Sequence, residues 1–174
     1  MARHHFGPLL FVKGDVMRDD TALAPALRVQ DVVISTFGRG KSLESGGPIE
    51  TSMPRIVVDM VAAGVRWPIL TSAFGVGETI RDVPLLPRRF IRVRLQDFYG
   101  DKNSREQILR SSELDWTLVY PLGLCDRPGT GRYRVAERLS LSGCPLIARA
   151  GVADFLLKKL EDRTYVRRGV LVGA

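Results

Sequence analysis

The sequence predicts an α/β fold in which a parallel sheet is covered by helices on both faces. Short, continuous apolar runs of the kind that form buried strands alternate with segments whose apolar residues repeat at helical spacing. The chain's 174 residues suit a single domain. The predicted strands are Leu9–Val12, Asp31–Thr36, Trp67–Ser72, Trp116–Pro121, Tyr133–Val135 and Gly169–Val172.

Helices are expected between these strands. Asp19–Thr21 offers an N-cap for a short helix that ends at Leu27, and the helical spacing from Ile56 ends at Gly64, a suitable C-cap. The other expected helices are Arg88–Tyr99, which Gly100 interrupts, Asp101–Ser112 and Val152–Leu160, the last with Phe155, Leu156 and Leu157 on its apolar face. The segments expected to be loops or turns are Phe37–Pro48, Glu78–Pro87 and Arg127–Gly131.

The helix Asp101–Ser112 carries both apolar and charged positions. Ile108 and Leu109 are expected to be buried. Lys102 and Glu106 stand four residues apart, which predicts an ion pair on the solvent-exposed face. The alternative is that Lys102 faces the cleft at the ends of the strands.

The charge of the chain raises the question of nucleic acid. The net charge is +7, and its densest basic patch comprises Arg81, Arg88, Arg89, Arg92 and Arg94. Nucleic-acid-binding domains usually add a recognisable module or an aromatic platform to such charge, and the sequence has neither. A solvent-exposed basic surface is therefore favoured over a nucleic-acid partner.

Composition also restricts the cellular setting. No apolar run approaches the length of a membrane span, and no secretory signal follows Met1. Cys125 and Cys144 are too few for a disulfide framework, so we expect a cytoplasmic protein without membrane contact. The only histidines, His4 and His5, are terminal, which disfavours a zinc site and a hydrolase triad; we expect no metal.

One segment resembles a phosphate-binding loop. Ser35–Ser42 ends in Gly40-Lys41-Ser42, but Ser35 replaces the first glycine and Gly46-Gly47-Pro48 replaces the helix that should follow. A nucleotide triphosphatase is therefore disfavoured. The glycine turn can still place backbone N–H groups against a ligand's phosphate or ribose.

The ends of the predicted strands indicate where a ligand binds. In parallel α/β sheets, ligands bind beyond the carboxyl ends of the strands. Polar or glycine residues stand at four of these ends: Gly14-Asp15, Thr36-Phe37-Gly38, Thr71-Ser72 and Tyr120-Pro121. We expect them to share one edge.

Several motifs in this order resemble a known family. They are Gly14-Asp15-Val16, Asp31–Ser35, Ala63-Gly64-Val65, Thr71–Gly77, Asp101-Lys102 with Glu106, Leu114–Pro121, Asp126–Gly131 and Val152–Phe155. The chain resembles the atypical short-chain dehydrogenase/reductases with an NmrA-like NAD(P)-binding domain. It is most similar to the branch of flavin reductase and biliverdin-IXβ reductase.

The resemblance implies a Rossmann-like sheet and NADP(H) or NAD(H) as the hydride donor. It implies that Ser72 is the catalytic residue, which orients the acceptor or relays a proton. The implied cofactor-binding residues are Asp15 and Val16 at the adenine, Thr36, Phe37 and Gly38 at the adenosine and pyrophosphate, Thr71 and Ser72 under the nicotinamide, and Tyr120, Pro121 and Leu122 beside its amide.

The sequence departs from the family pattern in three places. It contains no strand–G-x-x-G-x-x-G–helix unit, and it begins where the family's third strand does. The Tyr-x-x-x-Lys pair of ordinary short-chain dehydrogenases is absent, because Phe98 stands four residues before Lys102. Tyr120 stands where many relatives have arginine before proline.

These departures shape the expected domain and function. We expect residues 1–174 to form one incomplete domain, N-terminally truncated, in which strand 31–36 is exposed on one side. Three alternatives would resolve this exposed edge: residues 9–13 pair beside strand 31–36, a partner chain covers the edge, or the true reading frame starts further upstream. The predicted function is hydride transfer from NADPH to a flavin or similar flat, small-molecule acceptor, impaired by loss of the glycine loop. The alternative is a non-catalytic NAD(P)-sensing or protein-interaction domain.

Overall fold

The computed structural model describes residues 10–16, 23–37, 49–82, 96–139 and 146–173. The helices in these residues are α1 (Leu23–Leu27), α2 (Ile49–Ala62), a 3₁₀ helix (Gly77–Asp82), α3 (Gln96–Ser111) and α4 (Arg149–Lys159). The strands are β1 (Val32–Ser35), β2 (Trp67–Thr71), β3 (Thr117–Pro121), β4 (Gly123–Cys125), β5 (Arg134–Ala136), β6 (Leu146–Ala148) and β7 (Arg168–Gly173). Among these helices, none has the length and apolar character needed to cross a membrane.

The strands form a mostly parallel five-stranded sheet in the order β1-β2-β3-β7-β5. β1, β2, β3 and β7 run parallel, whereas β5 pairs with β7 in the antiparallel sense. The register places Ser35 beside Leu70 and Thr71 beside Val119. The ends of β1, β2 and β3 therefore meet at one edge, as the sequence predicts for these three, whereas the fourth expected end, Gly14-Asp15, follows no strand within the described residues. A separate two-stranded parallel sheet pairs β4 with β6.

Helices cover both faces of the sheet. Successive side chains of a strand point to opposite faces, so each face presents apolar side chains on which a helix can pack. Leu118 of β3 belongs to one apolar cluster, with Met60 of α2 and Leu109 of α3. Val119, the next residue, belongs to a second cluster with Phe155 of α4. All five residues of β3 are buried, which explains why this strand is a continuous apolar run in the sequence.

The strands predicted from continuous apolar runs at positions 31–36, 67–72, 116–121 and 169–172 are confirmed within one or two residues. The predicted end of α2 is also confirmed, since Gly64 has φ of +75° and its N–H donates to the carbonyl of Val61 at 3.1 Å. The strand expected at Tyr133–Val135 is β5, displaced by one residue. The three-residue strands β4 and β6 are not predicted.

The first predicted strand is wrong over its described residues. Leu10, Phe11 and Val12 are irregular and 82%, 86% and 51% exposed, while Leu9 lies outside the described residues. An apolar run becomes a strand only where another strand pairs with it, and within the described residues β1 pairs with β2 alone. The expectation that residues 9–13 slide in beside 31–36 is therefore wrong for residues 10–13.

Three further predictions, two about helices and one about a loop, are also corrected. α3 continues through Gly100, because packing of the helix on the sheet outweighs the roughly 1 kcal/mol that a helical glycine costs. Residues 77–82 form a 3₁₀ helix where a loop is predicted, held by the Thr79 hydroxyl, which donates to the Val76 carbonyl at 2.7 Å. Leu157 is 50% exposed, since Val152, Phe155 and Leu156 supply the buried face of α4. The predictions for Asp19–Thr21, 38–48, 83–95 and Cys144 lie outside the described residues.

Candidate functional site

Two buried hydroxyls mark the carboxyl edge of the sheet. Ser35 and Thr71 are the last residues of the neighbouring parallel strands β1 and β2. Within the described part of the chain, neither Oγ of Ser35 nor Oγ1 of Thr71 has a hydrogen-bond partner. A buried hydroxyl without a partner costs about 1–3 kcal/mol, so native proteins seldom leave one unexplained. Both atoms are therefore suited to bonding a polar ligand.

A buried carboxylate joins the next residues along this edge. Ser72 follows β2 and is 8% exposed; its hydroxyl donates to Oε1 of Glu106 at 2.5 Å. The Tyr120 hydroxyl donates to Oε2 of the same carboxylate at 2.7 Å. The Glu106 side chain is 1% exposed. One carboxylate on α3 thus bridges Ser72, which follows β2, and Tyr120 of the neighbouring strand β3, and we call these three residues the Glu106 cluster.

Glu106 does not lie on the solvent-exposed face that the sequence predicts for its pair with Lys102. Glu106 lies one helical turn before Leu109, and both side chains are 1% exposed, so the carboxylate is on the face that packs against the sheet. The side chain of Lys102 lies outside the described residues. Ile108 is half-buried, whereas Leu109 is buried as predicted. The sequence contains one sign of this burial: Glu106 stands three residues before Leu109, so the two residues share one face of the helix, and Leu109 is predicted to be buried.

Tyr120 is held as a hydrogen-bond donor by its surroundings. Burial raises the pKa of Tyr120 far above its ordinary value, and the neighbouring charge of Glu106 raises that pKa further. Arg110 acts in the opposite direction: its Nη2 donates to the Tyr120 hydroxyl at 3.4 Å. The Arg110 guanidinium also lies over the Trp116 ring, 4.8 Å from its centroid. The tyrosine therefore keeps its proton and fixes one oxygen of Glu106.

Two glycines allow the cluster to pack closely. Gly77 has φ of +53°, and a Cβ there would lie 2.7 Å from Oε2 of Glu106. A Cβ on Gly169 would lie 2.8 Å from Cε2 of Tyr120. Any larger residue at either position would displace the carboxylate or the tyrosine ring.

The other predicted site residues occupy different environments. Thr36 and Phe37 follow β1 and are exposed, near Thr71 at the same edge, and Gly38 lies outside the described residues. Asp15 is exposed in an irregular segment. The remaining predicted residues are at least partly buried: Val16, which packs against the core; Pro121, at the end of β3; and Leu122, a core residue whose N–H donates to the Val172 carbonyl at 3.0 Å.

Two neighbouring cavities adjoin the Glu106 cluster. The larger, of about 500 Å³, is lined by Glu106 and by residues of the 3₁₀ helix and α3. The smaller, of about 250 Å³, is lined by Tyr120 and Gly169 and by four arginines. We call the smaller cavity the arginine pocket; its arginines are Arg81, Arg110, Arg138 and Arg167. Glu78, Arg81 and Arg110 line both cavities.

The mostly parallel sheet, its helix-covered faces and its polar carboxyl edge define a Rossmann-like fold. A family model described as NAD(P)H-binding matches residues 7–163. The protein therefore belongs to this NAD(P)H-binding family, as the sequence motifs predict. The expected NADP(H) or NAD(H) cofactor is confirmed at the level of the family. The unpartnered hydroxyls of Ser35 and Thr71 fit such a ligand, which carries ribose hydroxyls and phosphate oxygens.

Solved structures show the same fold. The oxidoreductase ylbE from Lactococcus lactis superposes with a TM-score of 0.73 at 20% identity, covering 92% of this chain and 69% of that one. ChuY, an anaerobillin reductase from Escherichia coli O157:H7, gives 0.73 at 21% identity, covering 92% and 73%. A short-chain dehydrogenase/reductase from Veillonella parvula, solved with NADP, gives 0.72 at 20% identity, covering 91% and 69%. No protein with a curated description matches the sequence.

Proposed function

We propose that this protein is an NAD(P)H-dependent oxidoreductase that transfers a hydride to a flavin or similar flat acceptor, with Ser72 as its catalytic residue. The observation that carries the proposal is the buried Glu106 cluster, which lies at the carboxyl edge of a sheet belonging to the NAD(P)H-binding family. Structural neighbours described as an oxidoreductase and as an anaerobillin reductase support a reduction reaction.

The proposed cofactor site follows the carboxyl edge. The cofactor supplies the hydride when bound, and the protein supplies orientation and hydrogen bonds. Ser35 and Thr71 offer buried hydroxyls, and Thr36 and Phe37 offer an exposed surface beside them. The other residues assigned to cofactor binding are Asp15, Val16, Gly38, Ser72, Tyr120, Pro121 and Leu122. Because the Tyr120 hydroxyl is bonded to Glu106, its contribution is to fix that carboxylate.

Ser72 has a defined role in this arrangement. Its hydroxyl proton is directed at Oε1 of Glu106, so its lone pairs remain available to accept a hydrogen bond. Ser72 would therefore orient an N–H or O–H group of a bound molecule. Proton relay by Ser72 would require its hydroxyl to turn away from Glu106 and to regain a proton from water.

A non-catalytic NAD(P)-sensing or interaction domain is the second candidate. The observation that favours it is the lack of a Tyr-x-x-x-Lys pair at Lys102, because Phe98 stands four residues before that lysine. A phenyl ring has no proton to donate, so this position offers no general acid for turnover. We further propose that residues 1–174 form one domain, and a cytoplasmic location remains our expectation.

A two-stage titration separates these functions. NADPH is added to the purified chain while the fluorescence of Trp67 and Trp116 is followed; FMN is then added and NADPH oxidation is monitored. Binding with oxidation supports the reductase, and Ser72→Ala then slows oxidation by roughly tenfold, the equivalent of one hydrogen bond. Ser111→Ala, an exposed serine on α3, is the matched control. Binding without oxidation supports the sensor, and no binding at millimolar NADPH contradicts both.

Self-association through the sheet edge is proposed separately. Among the described residues, β1 has a strand neighbour on one side only. An unpaired edge presents backbone N–H and carbonyl groups to other chains. Sedimentation of the purified chain over a range of concentrations would give a rising mass if the edge pairs, and a constant monomer mass if it does not.

A further inference from the structure

We infer that the arginine pocket binds the phosphate or carboxylate group of the acceptor, so that the substrate class is a flat molecule with an anionic side chain. The inference rests on the proposed function for the identity of the acceptor. The pocket itself is an observation: four arginine residues line one cavity of about 250 Å³.

The charges of the pocket are unbalanced. Among the described residues that line the pocket, two glutamates, Glu78 and Glu137, accompany the four arginines. Glu137 already forms an ion pair with Arg168, which lies outside the lining. The pocket therefore carries excess positive charge, and like charges repel unless an anion lies between them. Guanidinium groups match the planar, multidentate hydrogen bonding of phosphate and carboxylate.

The arginines converge from separate parts of the chain. Arg81 comes from the 3₁₀ helix and Arg110 from the last turn of α3. Arg138 follows β5 and Arg167 precedes β7. A merely solvated basic surface requires no such convergence on one cavity. The sequence alone singles out only Arg81 of these four, as part of its densest basic patch.

The side chain of Arg110 and the backbone of Arg167 are held in position. Arg110 lies over the Trp116 ring and donates to the Tyr120 hydroxyl. Arg167 has φ of 57°, the left-handed conformation, and its N–H donates to the Trp116 carbonyl at 2.6 Å. A non-glycine residue seldom adopts that conformation, and such residues cluster at ligand sites. Because the Arg110 side chain is already positioned, it loses less entropy when it binds a ligand.

The volumes decide how much of a ligand each cavity accepts. The arginine pocket, of about 250 Å³, has half the volume of the larger cavity. That space suits an oxyanion and a few further atoms. The larger cavity, of about 500 Å³, contains Glu106 in its lining and falls in the range of small-molecule sites, about 300–1,000 Å³. Because the cavities share Arg81 and Arg110, the anionic end of one acceptor fits the smaller cavity and its flat body the larger.

The first experiment measures oxyanion binding without turnover. Inorganic phosphate is titrated into the protein at low and high salt, and tryptophan fluorescence is recorded. Trp116 reports on the pocket because the Arg110 guanidinium lies over its ring. Arg138→Gln and Arg167→Gln are each expected to weaken phosphate binding about tenfold, the effect of losing one charge-assisted hydrogen bond. Arg28→Gln removes another exposed charge that lines neither cavity, and its affinity should stay within about twofold of the unaltered protein. Equal losses in all three variants, or in none, would overturn the inference.

The second experiment identifies the source of the anion. FMN carries a phosphate that riboflavin lacks, so direct binding of each is measured by quenching of flavin fluorescence. We expect FMN to bind about tenfold more tightly than riboflavin, and Arg138→Gln to abolish that difference while leaving NADPH affinity unchanged. Weaker NADPH binding with unchanged FMN binding would overturn the acceptor assignment, because the pocket would then hold a cofactor phosphate. FMN preference without NADPH oxidation would support the pocket and contradict the proposed reductase.

Discussion

Glu106 of α3 accepts a 2.7 Å hydrogen bond from the hydroxyl of Tyr120 in β3, and both side chains are 1% exposed. The same carboxylate accepts the Ser72 hydroxyl, so a single buried group fixes two strand residues of the proposed site. A buried carboxylate is tolerated when its oxygens are hydrogen-bonded, and it becomes costly when they are not. The stability of the fold and the geometry of the site therefore depend on the same three residues.

Glu106→Gln tests that dependence. The amide keeps the shape of the side chain, but its NH₂ group would face the hydroxyl of Ser72 or Tyr120, which donates a hydrogen bond to Glu106 in the unaltered protein. We expect a loss of about 1–3 kcal/mol in the free energy of unfolding, measured by urea denaturation. Glu113→Gln, on an exposed residue after α3, should change that free energy by less than about 0.5 kcal/mol. A Glu106→Gln protein as stable as the unaltered chain would contradict the hydrogen-bonding described for this carboxylate.

Tyr120→Phe tests the pH dependence that follows from burial. The pKa of Tyr120 is higher in the folded chain than in the unfolded one, so its contribution to stability is complete below about pH 10 and falls as pH rises above that value. Removing the hydroxyl should lower stability at neutral pH and flatten the alkaline loss by up to about 1.4 kcal/mol per pH unit. Urea denaturation between neutral pH and the alkaline range measures both effects. Tyr165→Phe, outside the cluster, should retain the steeper alkaline loss.

Gly77→Ala tests the close approach of the 3₁₀ helix to Glu106. Alanine at φ of +53° costs about 1–2 kcal/mol, and its Cβ would also lie 2.7 Å from the carboxylate. Gly131 has φ of +66°, and a Cβ there would meet no atom within 4 Å, so Gly131→Ala reports the backbone cost alone. We expect Gly77→Ala to lower the melting temperature more than Gly131→Ala. Equal decreases would show that the Glu106 carboxylate shifts away from the new Cβ at no cost in stability, which would contradict the close approach described here.

Thr71→Val tests whether the unpartnered hydroxyl at the strand end serves a ligand. Valine removes a buried oxygen that lacks a partner, so the chain without cofactor should be at least as stable as before, while NADPH affinity falls. Thr117 provides the matched control, because its Oγ1 accepts from Trp67 at 3.0 Å and donates to the Tyr165 carbonyl at 2.9 Å. Thr117→Val should destabilise the fold by about 1–3 kcal/mol. Loss of stability without loss of NADPH affinity in Thr71→Val would argue against a ligand role.

Arg167→Gly tests the backbone conformation at the arginine pocket. Glycine adopts φ near 57° without the penalty of a Cβ, so the melting temperature should rise by about 2–4 °C, which corresponds to roughly 1 kcal/mol. Phosphate binding should weaken at the same time. Val29→Gly, at φ of 61° on a residue 99% exposed, should also stabilise the chain but leave phosphate binding unchanged. A gain in stability with unchanged phosphate affinity would show that Arg167 does not contribute to phosphate binding in the arginine pocket.

The main strands could be predicted from the sequence because burial on both faces leaves continuous apolar runs, as in β2 and β3. The run at Leu10–Val12 shows the limit of that signal, since apolar residues do not specify a pairing strand. Helix α3 was harder to place: Gly100 suggests an interruption, whereas packing of Leu109 against the sheet decides the outcome.

The candidate site was only partly predictable, for a related reason. Ser72 and Thr71 could be placed because they follow a recognisable strand. Glu106 lies 34 positions from Ser72, and its spacing from Lys102 favours a surface pair, so its burial becomes visible only when α3 is packed on the sheet. The arginine pocket draws on four separate segments, and no local pattern brings these together.

A crystal structure of this chain with NADP is the most direct test of the central claim, that the carboxyl edge of the sheet is the cofactor site. We predict that the nicotinamide lies against Thr71 and Ser72, and that the hydroxyl of Ser35 or Thr71 bonds the cofactor. The Glu106 cluster should remain intact beneath it. A dinucleotide bound away from this edge, with both strand-end hydroxyls still unpartnered, would contradict the account.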